Sequence, residues 1–227
     1  MASRATLVPR SNNSSGFSLA ELLIVLFIMA VVSAYALPRF LGASRLIGSA
    51  GIPREILTYM RLARQEAIAQ QMVFTCRYDD NTKRITIINH KESGITYDPA
   101  TDSMVKLPGN AAASANVVAD VTVENIPLGR MGAASSTITY GRVDGKPDTT
   151  PLDDGTVTLA LPASKQIVVA FQPDGSVVSA LNSPLNRTLF LYNSQIKKQT
   201  GFAISVLGTT GRVKLWRYDS NVDKYAE

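Results

Sequence analysis

A chain of 227 residues, 45% hydrophobic and 18% charged, has material for one well-packed domain and an appendage, but little for two full domains. Its single cysteine, Cys76, excludes an intrachain disulfide, and its single histidine, His90, leaves few reagents for imidazole chemistry. The net charge is +5, of which Arg4 and Arg10 supply two before the apolar run, and the remainder is too small to argue for nucleic acid by itself.

The first element is that run. From Phe17 to Leu37 the sequence is apolar with Glu21 as its sole charge. As a helix at about 1.5 Å per residue it spans roughly 31 Å, the thickness of a bilayer core. Flanking charge does not orient it, because Arg4 and Arg10 on one side are balanced by Arg39, Arg45 and Arg54 on the other. Ala34-Tyr35-Ala36 also has the form of a secretory cleavage site, which would release a β-domain after Ala36. Against that reading, the run is longer than a signal core of about 7–15 residues, and an acid at mid-membrane costs about 2.5–3.5 kcal/mol.

The residues Gly16-Phe17-Ser18-Leu19-Ala20-Glu21 resemble the leader junction of type IV prepilins and pseudopilins. The resemblance implies a leader over residues 1–16, cleavage after Gly16 by a prepilin peptidase, and methylation of the new N-terminus, Phe17. It places Glu21 fifth in the mature chain, where the acid pairs with a neighbouring subunit's terminal amine in a filament. Physical chemistry agrees. A carboxylate in the first turn is favoured by the helix dipole, and in a low-dielectric core an adjacent ammonium helps offset its desolvation. Pro38 falls at the position of a kink-forming proline in this family, and a proline there removes a helix hydrogen bond. The implied topology is single-pass in the inner membrane, with a cytoplasmic leader and a periplasmic domain.

Residues 38–72 read as an amphipathic continuation of the helix. Gly42, Gly48 and Gly51 make a poor helix interior, and Pro53 followed by Glu55 reads as a fresh start, so a kink or melted link is expected over residues 42–53. Beyond Pro53 the helical wheel gathers Ile56, Leu57, Tyr59, Met60, Ala63, Ala67 and Ile68 on one face, a stripe suited to packing on a sheet.

At Val73 the period changes from 3.6 to 2. Strands are expected over 73–77 and 85–89, then at 117–123, 137–140, 156–161, 166–171, 188–192, 202–207 and 212–218. Tyr78 to Arg84, QPDGSV and LGTTGR are the turns. Residues 92–155, rich in small and polar residues, read as an insertion within a β-rich domain covering 73–227. The expected fold class is α+β, with a long N-terminal helix packed on an antiparallel β-sheet domain. The ARQEAI-to-VFTCRY junction and the terminal FAISVLGTTGRVKLWRY resemble the H-type minor pseudopilins and FimT-like minor pilins (the GspH/FimT-like family).

Catalysis is not expected. His90 lies in the polar stretch INHKESG without a nucleophile elbow, Cys76 has no partner base, and GTTGR lacks the spacing and lysine of a phosphate loop. No cofactor or metal is expected. Asp144, Asp148, Asp153 and Asp154 follow no EF-hand spacing and read as a solvated loop rather than a calcium site. In some FimT-like pilins the last hairpin carries Gly-Arg-x-Arg and contacts DNA; here it is Gly211-Arg212-Val213-Lys214. Alternation places Arg212, Lys214 and Trp216 on one face, a basic-aromatic strip. Lysine lacks the bidentate fork of arginine, so contact with phosphate would be weak and salt-sensitive.

The resemblance implies a minor pseudopilin of the type II secretion pseudopilus, sitting near the filament tip. Its partners would be other minor and major pseudopilins, the prepilin peptidase, an inner-membrane assembly platform and membrane lipid. The FimT-like alternative is a minor pilin of a type IV pilus, with DNA as a further partner.

Overall fold

The computed structural model describes residues 18–109, 120–128, 137–147, 150–152, 154–155 and 164–227, without side chains at 38 and 41–48. The expected strand at 156–161, and Gly16 and Phe17 of the cleavage junction, lie outside the described residues. The chain divides into two compact units, Met1–Ala43 and Ser44–Glu227.

One helix, α1 (Leu19–Gln70), contributes to both units. It is helical throughout, so neither the melted link over residues 42–53 nor the fresh start at Pro53 is present. Propensity is a weak prior, and packing overrides it here: Ile52 and Pro53 are buried, and Ile52 is 1% exposed within the core. In the first unit every described side chain from Leu19 to Phe40 is exposed.

In the second unit the strands are β1 (Phe74–Asp79), β2 (Arg84–Asn89), β3 (Ile95–Asp98), β4 (Ser103–Lys106), β5 (Val121–Pro127), β6 (Ile138–Tyr140), β7 (Gln166–Phe171), β8 (Arg187–Asn193), β9 (Phe202–Val206), β10 (Val213–Asp219) and β11 (Lys224–Ala226). A single helical turn, α2 (Lys197–Thr200), lies between β8 and β9. The strands form antiparallel sheets ordered β5-β2-β1-β7, β11-β10-β9-β8-β6 and β3-β4. The α+β expectation therefore holds. β3 and β4 fall inside the stretch read as an insertion, and β11 was not expected.

The core explains the order. Ile52, Ile56, Met60, Ala63 and Ala67 recur at helical spacing and meet Phe74, Cys76 and Tyr78 of β1, Val169 and Phe171 of β7, Leu189 and Leu191 of β8, and Ile204 of β9. One helix stripe thus packs against both larger sheets. Their opposite faces are covered as well. Ile95, Tyr97 and Met104 of the β3–β4 hairpin pack with Val168 and Ala170 of β7, while Leu152 and Tyr225 pack with Phe190, Ala203, Trp216 and Tyr218.

Candidate assembly helix and terminal hairpin

The residues singled out in the sequence separate into an N-terminal set and a C-terminal set. Glu21 lies in the first turn of α1, which opens with the Leu22 N–H donating to Ser18 O at 3.1 Å. Its neighbours are apolar and exposed, with Leu23 at 61% and Phe27 at 68%. The stretch Leu19–Leu37 has a mean hydropathy of 2.4, and by length and composition it can cross a membrane. An exposed apolar rod of this kind is stable only in lipid or against other chains. Its single acid also needs a partner there.

The terminal hairpin differs from the expected strip. β9 and β10 pair with Val213 opposite Val206, Lys214 opposite Ser205 and Trp216 opposite Ala203. The alternation is as read: Val213 and Leu215 face the α1 core, and Trp216 points the other way. That other face is not open to solvent at Trp216, because the layer containing Leu152 and Tyr225 covers it. Trp216 is 5% exposed, and its Nε1 donates to Ser205 Oγ at 2.8 Å, which donates to Asp154 Oδ2 at 2.7 Å. Lys214 lies 5.3 Å over the Trp216 ring and pairs with Glu227 at 3.0 Å. Arg212 is exposed. Trp216 therefore has no free face on which a base could stack.

Gly211 has a packing role. It sits at φ +61°, where a Cβ would fall 1.8 Å from the carbonyl oxygen of Gly175. Gly175, itself at φ +80°, belongs to the QPDGSV turn. Arg64 Nε donates to Gly175 O at 3.3 Å and to Thr210 O at 3.1 Å, so α1 ties the two turns together.

The acidic cluster is dispersed among other partners. Asp144 accepts Arg142 Nε at 2.9 Å and Nη2 at 2.5 Å, with the two side chains 2% and 4% exposed. Arg142 also lies 4.5 Å over the Phe190 ring. Burial works to raise the Asp144 carboxyl, but the Arg142 hydrogen bonds and charge outweigh it and hold the group below the ordinary carboxylate range. Asp154 receives Ser205, while Asp148 and Asp153 lie outside the described residues. Among the described residues no group of three His, Cys, Asp or Glu side chains is placed to hold a metal.

His90 was expected in a polar turn and is instead 4% exposed, beyond the end of β2. Its Nδ1 meets Asp120 Oδ1 at 2.7 Å and its Nε2 meets Thr75 Oγ1 at 3.0 Å. Because Asp120 as a carboxylate only accepts, Nδ1 carries the proton toward it. Hydroxyl, imidazole and carboxylate stand in the order of a nucleophile, base and orienting acid. Thr75, however, is 1% exposed near the start of β1 and offers nothing to a substrate, so the trio ties the end of β1 to the segments that follow β2 and precede β5. Nothing in INHKESG signals this, because the partners are supplied by distant segments. Cys76 is 2% exposed, and burial pushes its thiol up to about 12, the behaviour of a packing residue.

Residues 11–37 match the family model described as the prokaryotic N-terminal methylation motif. This bears out the resemblance carried by Gly16 to Glu21: the class of segment at the N-terminus is that of type IV prepilins. The chain is similar to the crystal structure of the type IV minor pilin FimU of Pseudomonas aeruginosa, at 15% identity and a TM-score of 0.40, over 78% of this chain and 92% of that one. It is also similar to the minor pseudopilin EpsH from the type 2 secretion system of Vibrio cholerae, at 15% identity and a TM-score of 0.34, over 72% and 91%. No curated protein sequence matches it.

Proposed function

We propose that this chain is a minor subunit of a type IV pilin-like filament, specifically a minor pseudopilin of the type II secretion pseudopilus, incorporated near the tip. The observation that carries the reading is an exposed apolar stretch of α1, Leu19–Leu37, whose only charge, Glu21, sits in the first helical turn inside a matched methylation motif. In the membrane the acid is a liability. In a filament it becomes a register mark, because the amine freed by cleavage before Phe17 on an adjoining subunit neutralises it. The prepilin peptidase would cut after Gly16 and methylate Phe17. An inner-membrane platform would then extract the subunit and join it to other minor and major pseudopilins. Pro38 is the proposed bend in the rod, and the domain would stand in the periplasm. The role is structural and does not include catalysis.

In the type IV pilus alternative the hairpin would in addition contact DNA through Arg212, Lys214 and Trp216. With Trp216 inside the core and Lys214 paired with Glu227, base stacking is unavailable, which weighs against that DNA contact and leaves the pilus and pseudopilus roles sharing the same rod chemistry. The Glu21→Ala variant tests the proposal. Membrane insertion should be unchanged or improved, while the amount of subunit in sheared filaments should fall at least about ten-fold if roughly 1.4 kcal/mol or more of pairing energy is lost. Undiminished incorporation would contradict the pairing.

A further inference from the structure

A basic surface is built where the domain's share of α1 begins. Asn193, at the end of β8, organises it: Nδ2 donates to Ser49 Oγ of α1 at 2.9 Å, and the Asn193 N–H donates to Thr200 Oγ1 at 3.1 Å. Thr200 Oγ1 in turn donates to Ile196 O at 2.7 Å. Behind the turn, a Cβ on Gly201 would lie 2.6 Å from Val143 Cγ2 and 3.0 Å from Tyr218 Cβ, so the backbone must pass close. The turn α2 is therefore anchored to the helix, and it presents Lys197 and Lys198 to solvent. Beside it, a groove of about 360 Å³ is lined by Ser49, Pro53, Thr200 and the exposed Arg217. Arg54, next after Pro53, is exposed too.

The sequence around this surface is one-sided in charge. Ser49 comes twelve residues after Leu37, the end of the apolar stretch, and the intervening chain carries Arg39 and Arg45 with no acid. Over 38–54 and 194–201 every charged residue is basic; Glu55 and Asp219 are the nearest acids along the lining elements. Exposed cations held so few residues from a membrane span meet the conditions for attraction to anionic headgroups.

We propose that this surface, Lys197, Lys198, Arg217 and Arg54, docks on the anionic phospholipid headgroups of the bilayer that holds Leu19–Leu37, retaining the subunit against the membrane before assembly. The proposal rests only on the membrane part of the reading above. Each basic side chain contributes roughly five-fold to such binding, and salt weakens it. The test uses the full chain in vesicles of phosphatidylcholine alone or mixed with phosphatidylglycerol, reading backbone hydrogen exchange over 194–201. The mixed vesicles should slow exchange at least about five-fold at low salt. The slowing should vanish in Lys197→Glu/Lys198→Glu and at high salt, and shrink in Arg217→Gln, while alkaline extraction shows all variants retained in the bilayer. Equal exchange in the two lipids, or slowing that survives charge reversal, overturns the proposal for a retained chain. A chain released by extraction overturns the membrane reading, and this inference with it.

Discussion

Gly211 shows how a single residue can be read two ways. In the sequence it opens Gly-Arg-Val-Lys, one arginine short of the Gly-Arg-x-Arg pattern; in the structure it is where two turns meet, with no room for a Cβ beside the Gly175 carbonyl. Gly211→Ala should therefore cost about 2 kcal/mol or more, from strain at positive φ together with the clash, seen as a lower denaturant midpoint. Arg212→Ala, on an exposed side chain, should stay within about 0.5 kcal/mol. Asp144 makes a residue-scale prediction about pH. The folded carboxyl sits below its ordinary value, so as pH falls the unfolded chain takes up that proton first. The stability Asp144 contributes is complete well above pH ~4 and is lost below it. Asp144→Asn should flatten that acid limb, and at neutral pH should cost about 1.5–3 kcal/mol by weakening the charge-assisted hydrogen bonds from Arg142. Urea unfolding across an acid series measures both effects.

Among the elements, β10 is the most informative, because its faces were legible and its surroundings were not. Alternation correctly separated Val213 and Leu215 from Trp216, since period two is a local property of the chain. What covers Trp216 is supplied by Leu152 and by β11, a strand of three residues too short to register as a pattern. Trp216 is the sole tryptophan, so its fluorescence reports on this face. Emission should be blue-shifted and resist iodide quenching, and it should not change when single-stranded DNA is added. Strong quenching by either agent would put the ring at the surface. The same contrast runs through the other elements. β1, β2, β7, β8 and β9 were evident as β-prone runs with clear turns, whereas β3 and β4 are four residues each in a stretch of weak composition. In α1 the apolar stripe was legible, but its continuity through Gly42, Gly48, Gly51 and Pro53 was not. Local propensity argued for a break, and the tertiary contacts of Ile52 and Ile56 that oppose it are invisible along the sequence.

At the scale of the whole molecule, the second unit is a folded α+β body with its own core, while in the first unit the described apolar side chains of α1 are all exposed. The domain satisfies its buried polar groups largely from within, as Thr75 and Asp120 do for His90. The rod instead places Glu21 between apolar neighbours in the first turn of α1, and in the proposed filament its partner is the amine of an adjoining subunit. The candidate site was for this reason legible: a lone acid at a fixed distance from a glycine junction is a sequence property, independent of how the domain folds. If the rod is kept and its N-terminus freed for pairing, mass spectrometry of the mature N-terminal peptide from the native membrane will read it directly. The peptide should begin at Phe17 and carry one N-terminal methyl group; a mature chain beginning at Leu37, with the rod removed, would contradict both.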